Sequence, residues 1–242
     1  MRVALLAVFL FSGFVFAQES VLHLQEQLKS PGFFGKQGSI SQVETWIGNH
    51  KIKKDEQDQN RTLLMRSDVG TVWRINHSDS TYQEIPLEVF QGMSLMGMMV
   101  FGVTTDSLTG EPIIPDPLFT KTSRYRKIGM WQAFEMVPAQ KGEGSFASKV
   151  KSFSIWVSPE CGISPQVYAS LARDMMGPLA SQYKSIFTQL EQLEGYPVLI
   201  ETTTMGKSAE QRLLFFEEET VPAHFFDLPK GYQLIDSDLF DH

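Results

Sequence analysis

The chain has 242 residues, 42% of them hydrophobic, and a formal net charge of −7. That length can bury an ordinary apolar core, and the acidic balance removes any general electrostatic reason to bind nucleic acid or an anionic membrane surface. Cys161 is the only cysteine, so an intrachain disulfide is excluded; with no histidine near it in sequence, its thiol reads as structural.

Residues 1–17 read as a secretory signal peptide. Arg2 supplies the positive start, Val3 to Val15 form an apolar run too short for a permanent span, and Val15-Phe16-Ala17 leads to cleavage before Gln18. Removing Arg2 from the 21 basic residues leaves 20 against 28 acidic ones, net −8. No cysteine follows the run, so no lipid anchor is expected, and the mature chain has no membrane span. The expected location is periplasmic or secreted.

Val21, Leu24 and Leu28 recur at helical spacing, which predicts an amphipathic helix over residues 18–30. Pro31-Gly32 ends it, and a flexible linker runs to residue 39. A domain over 40–235 follows, then an acidic tail at 236–242. Alternation and turn residues predict strands at Ser41–Gly48, Thr62–Asp68, Thr71–Asn76 and Tyr82–Pro86. The first half of "HKIKKDEQDQN" is a further pairing candidate, and "HKIKK" (His50–Lys54) reads as a solvated hairpin end because Asp55, Glu56 and Asp58 follow it. Residues 91–122 show no periodicity and contain three prolines in "TGEPIIPDPLF", so they read as an irregular Met/Pro-rich loop. Strands return at Ile128–Val137 and Lys149–Val157. One long helical stripe spans 164–194: Ser164 caps it, Pro165 opens it, and Val167, Leu171, Met175, Leu179, Ile186, Leu190 and Leu193 form its apolar face. Gly177-Pro178 must kink or divide this helix, and Gly195 ends it. Strands at Pro197–Met205 and Arg212–Thr220 flank "GKSAEQ". Trp46, Trp73, Trp131 and Trp156 fall on separate strands, which favours one large antiparallel sheet.

Motifs for chemistry are sparse. There is no G-x-S-x-G, no G-x-G-x-x-G opening a helix and no P-loop. The five histidines include no H-x-x-x-H pair, so a zinc site is not expected. Glu217-Glu218-Glu219 reads as a solvated strand edge. Asn60-Arg61-Thr62 and Asn76-His77-Ser78 fit the N-glycosylation pattern, which matters only in a eukaryotic secretory pathway. The stretch "GMSLMGMMVFG" (residues 92–102) is too short for a membrane span, leaving core packing, contact with a hydrophobic ligand or partner, and Cu(I) binding by soft thioethers. Copper ranks last, since no histidine or cysteine lies between His77 and Cys161.

"SIWVSPE" (Ser154–Glu160), "GYPVLIETTTMG" (Gly195–Gly206) and "VPAHFFDLPKGYQLI" (Val221–Ile235) together resemble a family of exported bacterial proteins catalogued as a domain of unknown function. The resemblance covers roughly residues 40–235. That family is similar in fold to lipoprotein carriers and receptors of the LolA/LolB type, which implies an α+β fold: a curved antiparallel half-barrel with helices covering its concave face. In the terminal motif, Pro222 and Pro229 stiffen an edge while Phe225, Phe226 and Leu228 seal one end of a core. The chain lacks the receptor's lipid anchor and no arginine maps onto a carrier's functional position, so lipoprotein transport does not carry over.

These readings converge on an exported, non-catalytic protein that binds a lipid, another hydrophobic small molecule or an envelope partner's apolar segment, with no cofactor and no metal. The expected contacts are Met93, Met96, Met98, Met99 and Phe101 from the loop and Leu171, Met175, Leu179 and Ile186 from the helix. The rivals are a periplasmic copper protein using the methionines, an envelope structural protein without a ligand, and an enzyme of unrecognised type.

Overall fold

A computed structural model of the chain describes residues 18–31, 38–142 and 147–235, with the backbone alone for residues 90 and 93–97. Residues 1–17, read above as a signal peptide, and residues 236–242, read as an acidic tail, lie outside the described residues. The strands are β1 (Gln18–Ser30), β2 (Ser39–Gly48), β3 (Lys51–Glu56), β4 (Arg61–Arg66), β5 (Thr71–Asn76) and β6 (Thr81–Pro86), followed by helix α1 (Leu87–Met98). The short pair β7 (Thr104–Thr105) and β8 (Pro112–Ile113) comes next, then β9 (Phe119–Ile128), β10 (Trp131–Pro138) and β11 (Val150–Ser158). Helices α2 (Pro165–Met176) and α3 (Lys184–Glu191) precede β12 (Tyr196–Thr204), β13 (Lys207–Pro222) and β14 (Gln233–Leu234). Twelve strands form one open sheet in the order β14-β6-β5-β4-β3-β2-β1-β13-β12-β11-β10-β9, antiparallel except where β14 runs parallel to β6.

The sheet is curved, as the packing of α2 requires. Leu171 and Met175 of α2 join the cluster of Met65 and Val72 on β4 and β5, while Ala169 and Met176 join the cluster of Phe134 and Ile155 on β10 and β11. β5 and β10 stand eight places apart in the strand order, roughly 38 Å in a flat sheet at about 4.8 Å per strand. A helix of this length extends only about 18 Å. The sheet therefore curls around the helices, which cover its concave face.

Three expectations are corrected. Residues 18–30 form a strand, one of the two at the middle of the sheet: β1 pairs with β2 on one side and β13 on the other. The spacing of Val21, Leu24 and Leu28 suits a helix. Yet Val21 and Leu24, 3% and 2% exposed, fall on opposite faces of a strand buried on both sides. Local propensity yields to two ladders of partners. Residues 91–122 are not an irregular loop throughout. Their first part lies in α1, whose all-round apolar sequence has no single stripe to reveal it. Finally, Ile128–Val137 straddles a turn: Ile128 ends β9 and β10 begins at Trp131. β9 ("FTKTSRYRKI") is an edge strand carrying Lys121, Arg124, Arg126 and Lys127, and charge on an edge hinders pairing with other chains while masking the apolar alternation.

Several other predicted elements form where expected, whereas β7, β8 and β14 were not predicted. The long helix divides at Gly177-Pro178 into α2, a 3-10 stretch over Gly177–Ser181, and α3. Ser164 accepts a hydrogen bond from the Gln166 amide as N-cap. Gly177 has φ +48°, and a Cβ there would collide with the Gln91 side chain, so glycine lets α1 pack against the break. The β12–β13 hairpin is tighter than the sequence suggests. Met205 and Gly206 both have positive φ, the signature of a two-residue turn, and "KSAEQ" belongs to β13.

The convex face is covered by the C-terminal segment. Leaving β13 at Pro222, the chain crosses that face to place β14 beside β6. Phe226, with Phe225, Leu228 and Tyr232, packs there against Trp46, Leu64 and Ile75. This segment is a strap across the sheet rather than a seal at one end of a core. Lys51 and Lys53 of the "HKIKK" hairpin turn onto it, with the Lys53 ammonium 4.3 Å from the Phe225 ring and that of Lys51 5.6 Å from Phe226.

Candidate functional site

A cavity of about 370 Å³ lies between the helices and the concave face. Met98, Val100 and Phe101, at the end of α1 and in the 3-10 turn after it, form one wall. Tyr168, Leu171, Ala172, Met175 and Met176 of α2 form a second, and Val150 and Phe153 of β11 with Thr202 and Thr204 of β12 form the floor. Phe101 meets Phe153 edge-on at 4.9 Å between ring centres and Phe119 at 5.3 Å with the planes tilted, which ties this wall to the floor. The lining is apolar except for three hydroxyls. Burial, aided by the Glu26 charge, pushes the Tyr168 phenol up, so it stays neutral. Three thioethers, from Met98, Met175 and Met176, make the lining adaptable in shape.

Of the contacts expected from the sequence, Met98, Phe101, Leu171 and Met175 line the cavity together. Met99 is 41% exposed and is not part of the lining. Leu179 and Ile186 belong to the core cluster beside the cavity rather than to its wall. The side chains of Met93 and Met96 lie outside the described residues. Val150, Phe153, Tyr168, Ala172, Thr202 and Thr204 were not anticipated. Alternation in β11 and β12 shows which residues share a face, but not that helix α2 stands off from that face to leave a space.

The convex face carries polar groups satisfied by one another. The Trp156 indole N–H donates to Glu201 Oε2 at 2.6 Å, and the Arg126 guanidinium donates to Glu201 Oε1 at 3.0 Å. Arg124 and Thr122 donate to the buried Glu135 carboxylate at 2.7 and 2.9 Å. Burial alone would raise the Glu201 carboxyl, but the hydrogen bonds from Trp156 and Arg126 and the Arg126 charge hold it below the usual range. A carboxyl lowered by folding stabilises the native state above its unfolded value, about 4.3, and that contribution is lost as pH falls through the lower folded value. Urea unfolding between pH 7 and pH 3 is expected to show this loss. Glu201→Gln is expected to lower the midpoint at pH 7 and to flatten the acid limb; an acid limb unchanged in the variant would contradict the assignment.

A second polar group stands on the convex face where β13, β1 and β2 meet. His23 lies directly opposite Glu217 in β13 and Trp46 in β2. His23 is 7% exposed, and neither ring nitrogen has a hydrogen-bond partner among the described residues. One donor atom from each of His23, Glu217 and Glu219 lies within 4.8 Å of the others. The sequence pattern missed this group because the donors come from opposite ends of the chain. The i, i+2 pair of glutamates in one strand was the available signal. Cys161 is 3% exposed, and burial pushes its thiol up, which suits an unreactive core residue.

No protein-family model matches the chain, and no curated protein matches it. Among solved structures, it is similar to an uncharacterized conserved protein from Thermus thermophilus, at 7% identity and a TM-score of 0.47 over 92% of each chain. It is also similar to an outer membrane lipoprotein-sorting protein domain from Vibrio parahaemolyticus, at 11% identity and a TM-score of 0.33 over 86% of this chain and 89% of that one. Among the described residues, no helix is long and apolar enough to cross a membrane.

Proposed function

We propose that the protein is an exported, non-catalytic carrier that holds an acyl chain or similar hydrophobic molecule between α1, α2 and the concave face of the sheet. The observation that carries this reading is the cavity of about 370 Å³ with its apolar, methionine-containing wall, a size within the usual range for small-molecule sites. A site of this kind gains affinity by removing hydrocarbon from water, and pliable thioethers accommodate chains of differing shape. Tyr168, Thr202 and Thr204 supply the hydroxyls that can meet a polar end. Export rests on the reading of residues 1–17.

The test is uptake of a fluorescent fatty acid by the mature chain, alongside native mass spectrometry of protein purified gently from its own compartment. Wild type is expected to bind the probe and to carry a lipid mass. Ala172→Phe fills the cavity from within a lining position, so it is expected to weaken uptake at least about tenfold while preserving the thermal midpoint. An empty protein that ignores the probe would refute the proposal, as would an Ala172→Phe variant that binds it unchanged. Co-purification of an envelope protein in place of lipid would redirect the site to a partner's apolar segment.

A further inference from the structure

We propose that His23, Glu217 and Glu219 form a binding site for one divalent transition-metal ion of the zinc class, on the face of the sheet opposite the cavity. His23 Nδ1 stands 3.6 Å from Glu217 Oε1 and 4.0 Å from Glu219 Oε1. These separations are too long for hydrogen bonds. They are close to the spacing of two ligands on one ion, since bonds of about 2.0–2.2 Å put neighbouring ligand atoms roughly 3.0–3.6 Å apart. Rotation of two glutamates that are half and one-third exposed closes the remaining few tenths of an ångström.

The buried imidazole is the observation that separates this group from an ordinary acidic edge. A histidine 93% buried, by its 7% exposure, normally spends its ring nitrogens on hydrogen bonds, and among the described residues both nitrogens here are without them. Its neighbours are arranged as partners of a metal ligand. The Trp46 ring stacks on the imidazole at 4.6 Å with 6° between the planes, which sets the ring's orientation. The Trp46 N–H also donates to Glu219, which keeps that carboxylate beside the imidazole. Glu44 Oε2 lies 3.9 Å from His23 Nε2, on hand to accept its N–H when Nδ1 holds the ion. A carboxylate behind a ligating imidazole is the usual second contact in zinc sites.

Charge and ligand type agree on the class of ion. Glu44, Glu217 and Glu219 put three carboxylates around one imidazole, which favours a cation. One nitrogen with two carboxylate oxygens suits Zn²⁺ and its divalent neighbours rather than Cu(I), which prefers sulfur. The Glu217 side chain, 50% exposed, opens the site to solvent and gives the ion a way in.

The test uses the mature chain, stripped of metal with a chelator, and ZnCl₂ or CoCl₂ alone. Calorimetry is expected to show one equivalent bound, and Co²⁺ is expected to give a visible d–d absorption that Zn²⁺ displaces. Glu217→Gln keeps the size of an exposed side chain and is expected to lower affinity at least about tenfold with an unchanged far-UV spectrum. His23→Gln is expected to abolish the Co²⁺ spectrum. Absence of binding up to millimolar metal would overturn the proposal. So would stoichiometric binding that Glu217→Gln leaves unaltered, because the ion would then sit on another histidine.

Discussion

Replacing Trp156 with alanine is expected to cost about 3–5 kcal/mol of folding stability. Trp156 is 1% exposed and lies at the junction of β10, β11 and β12, opposite Glu135 on one side and Leu199 on the other. Its ring packs in the cluster of Leu24, Ile128, Trp131 and Leu199. The Arg126 guanidinium lies 4.3 Å from the ring centre and that of Arg124 5.2 Å, so the indole also holds two cations that in turn bind Glu201 and Glu135. Truncation leaves a void and removes the N–H from Glu201. Against a typical total of about 5–15 kcal/mol, such a loss leaves the fold marginal, and a fall in thermal midpoint of about 10 °C follows for a chain of this size. Trp156→Phe separates the contributions. It fills most of the space but lacks the donor, and is expected to cost about 1–3 kcal/mol. Urea midpoints measure both. A phenylalanine variant as unstable as the alanine one would show that the indole N–H, not the ring volume, carries the effect.

The second large effect is expected at the strap. Phe226 is 1% exposed and packs edge-on against Phe225, with ring centres 5.2 Å apart. Phe226→Ala removes the residue that seats the segment on Trp46, Leu64 and Ile75, at an expected cost of about 3–5 kcal/mol if the strap stays in place. A terminal segment has another option: it can peel away and take β14 from the sheet edge. The variant is therefore expected to become sensitive to protease between Val221 and Ile235, and to lose hydrogen-exchange protection at Gln233 and Ile235, whose amides donate to Ser80 and Tyr82, before the main sheet opens. Uniform loss of protection across β1–β6 would instead mean that strap and sheet form one cooperative unit. Trp156 and Phe226 belong to separate clusters, so their costs should add within about half a kcal/mol in the double variant.

What could be read in the chain and what could not divide along a physical line. β2, β5, β6, β11 and the divided helix were legible because their cause is local. Period-two alternation, a serine cap before Pro165 and a Gly-Pro break act between near neighbours, and a window of a dozen residues contains them. The α+β class followed, because those elements leave one sheet and one covering helix. β1 was misread because its spacing fits a helix equally well, and only pairing with β2 and β13 selects the strand. β9 hid its alternation under edge charge, and α1 hid its helix in a sequence apolar on every side.

The sites show the same division. Met98, Phe101, Leu171 and Met175 were identifiable as apolar residues of two segments, but the space between them depends on how far α2 stands from β11 and β12. Composition determined that Met99 would be apolar and mobile enough to serve as lining; packing turned it to solvent at 41% exposure. His23 and Glu217 are ordinary residues in their own neighbourhoods. Their meeting depends on the β1–β13 ladder, a long-range pairing whose energy exists only once the two ends of the chain lie side by side.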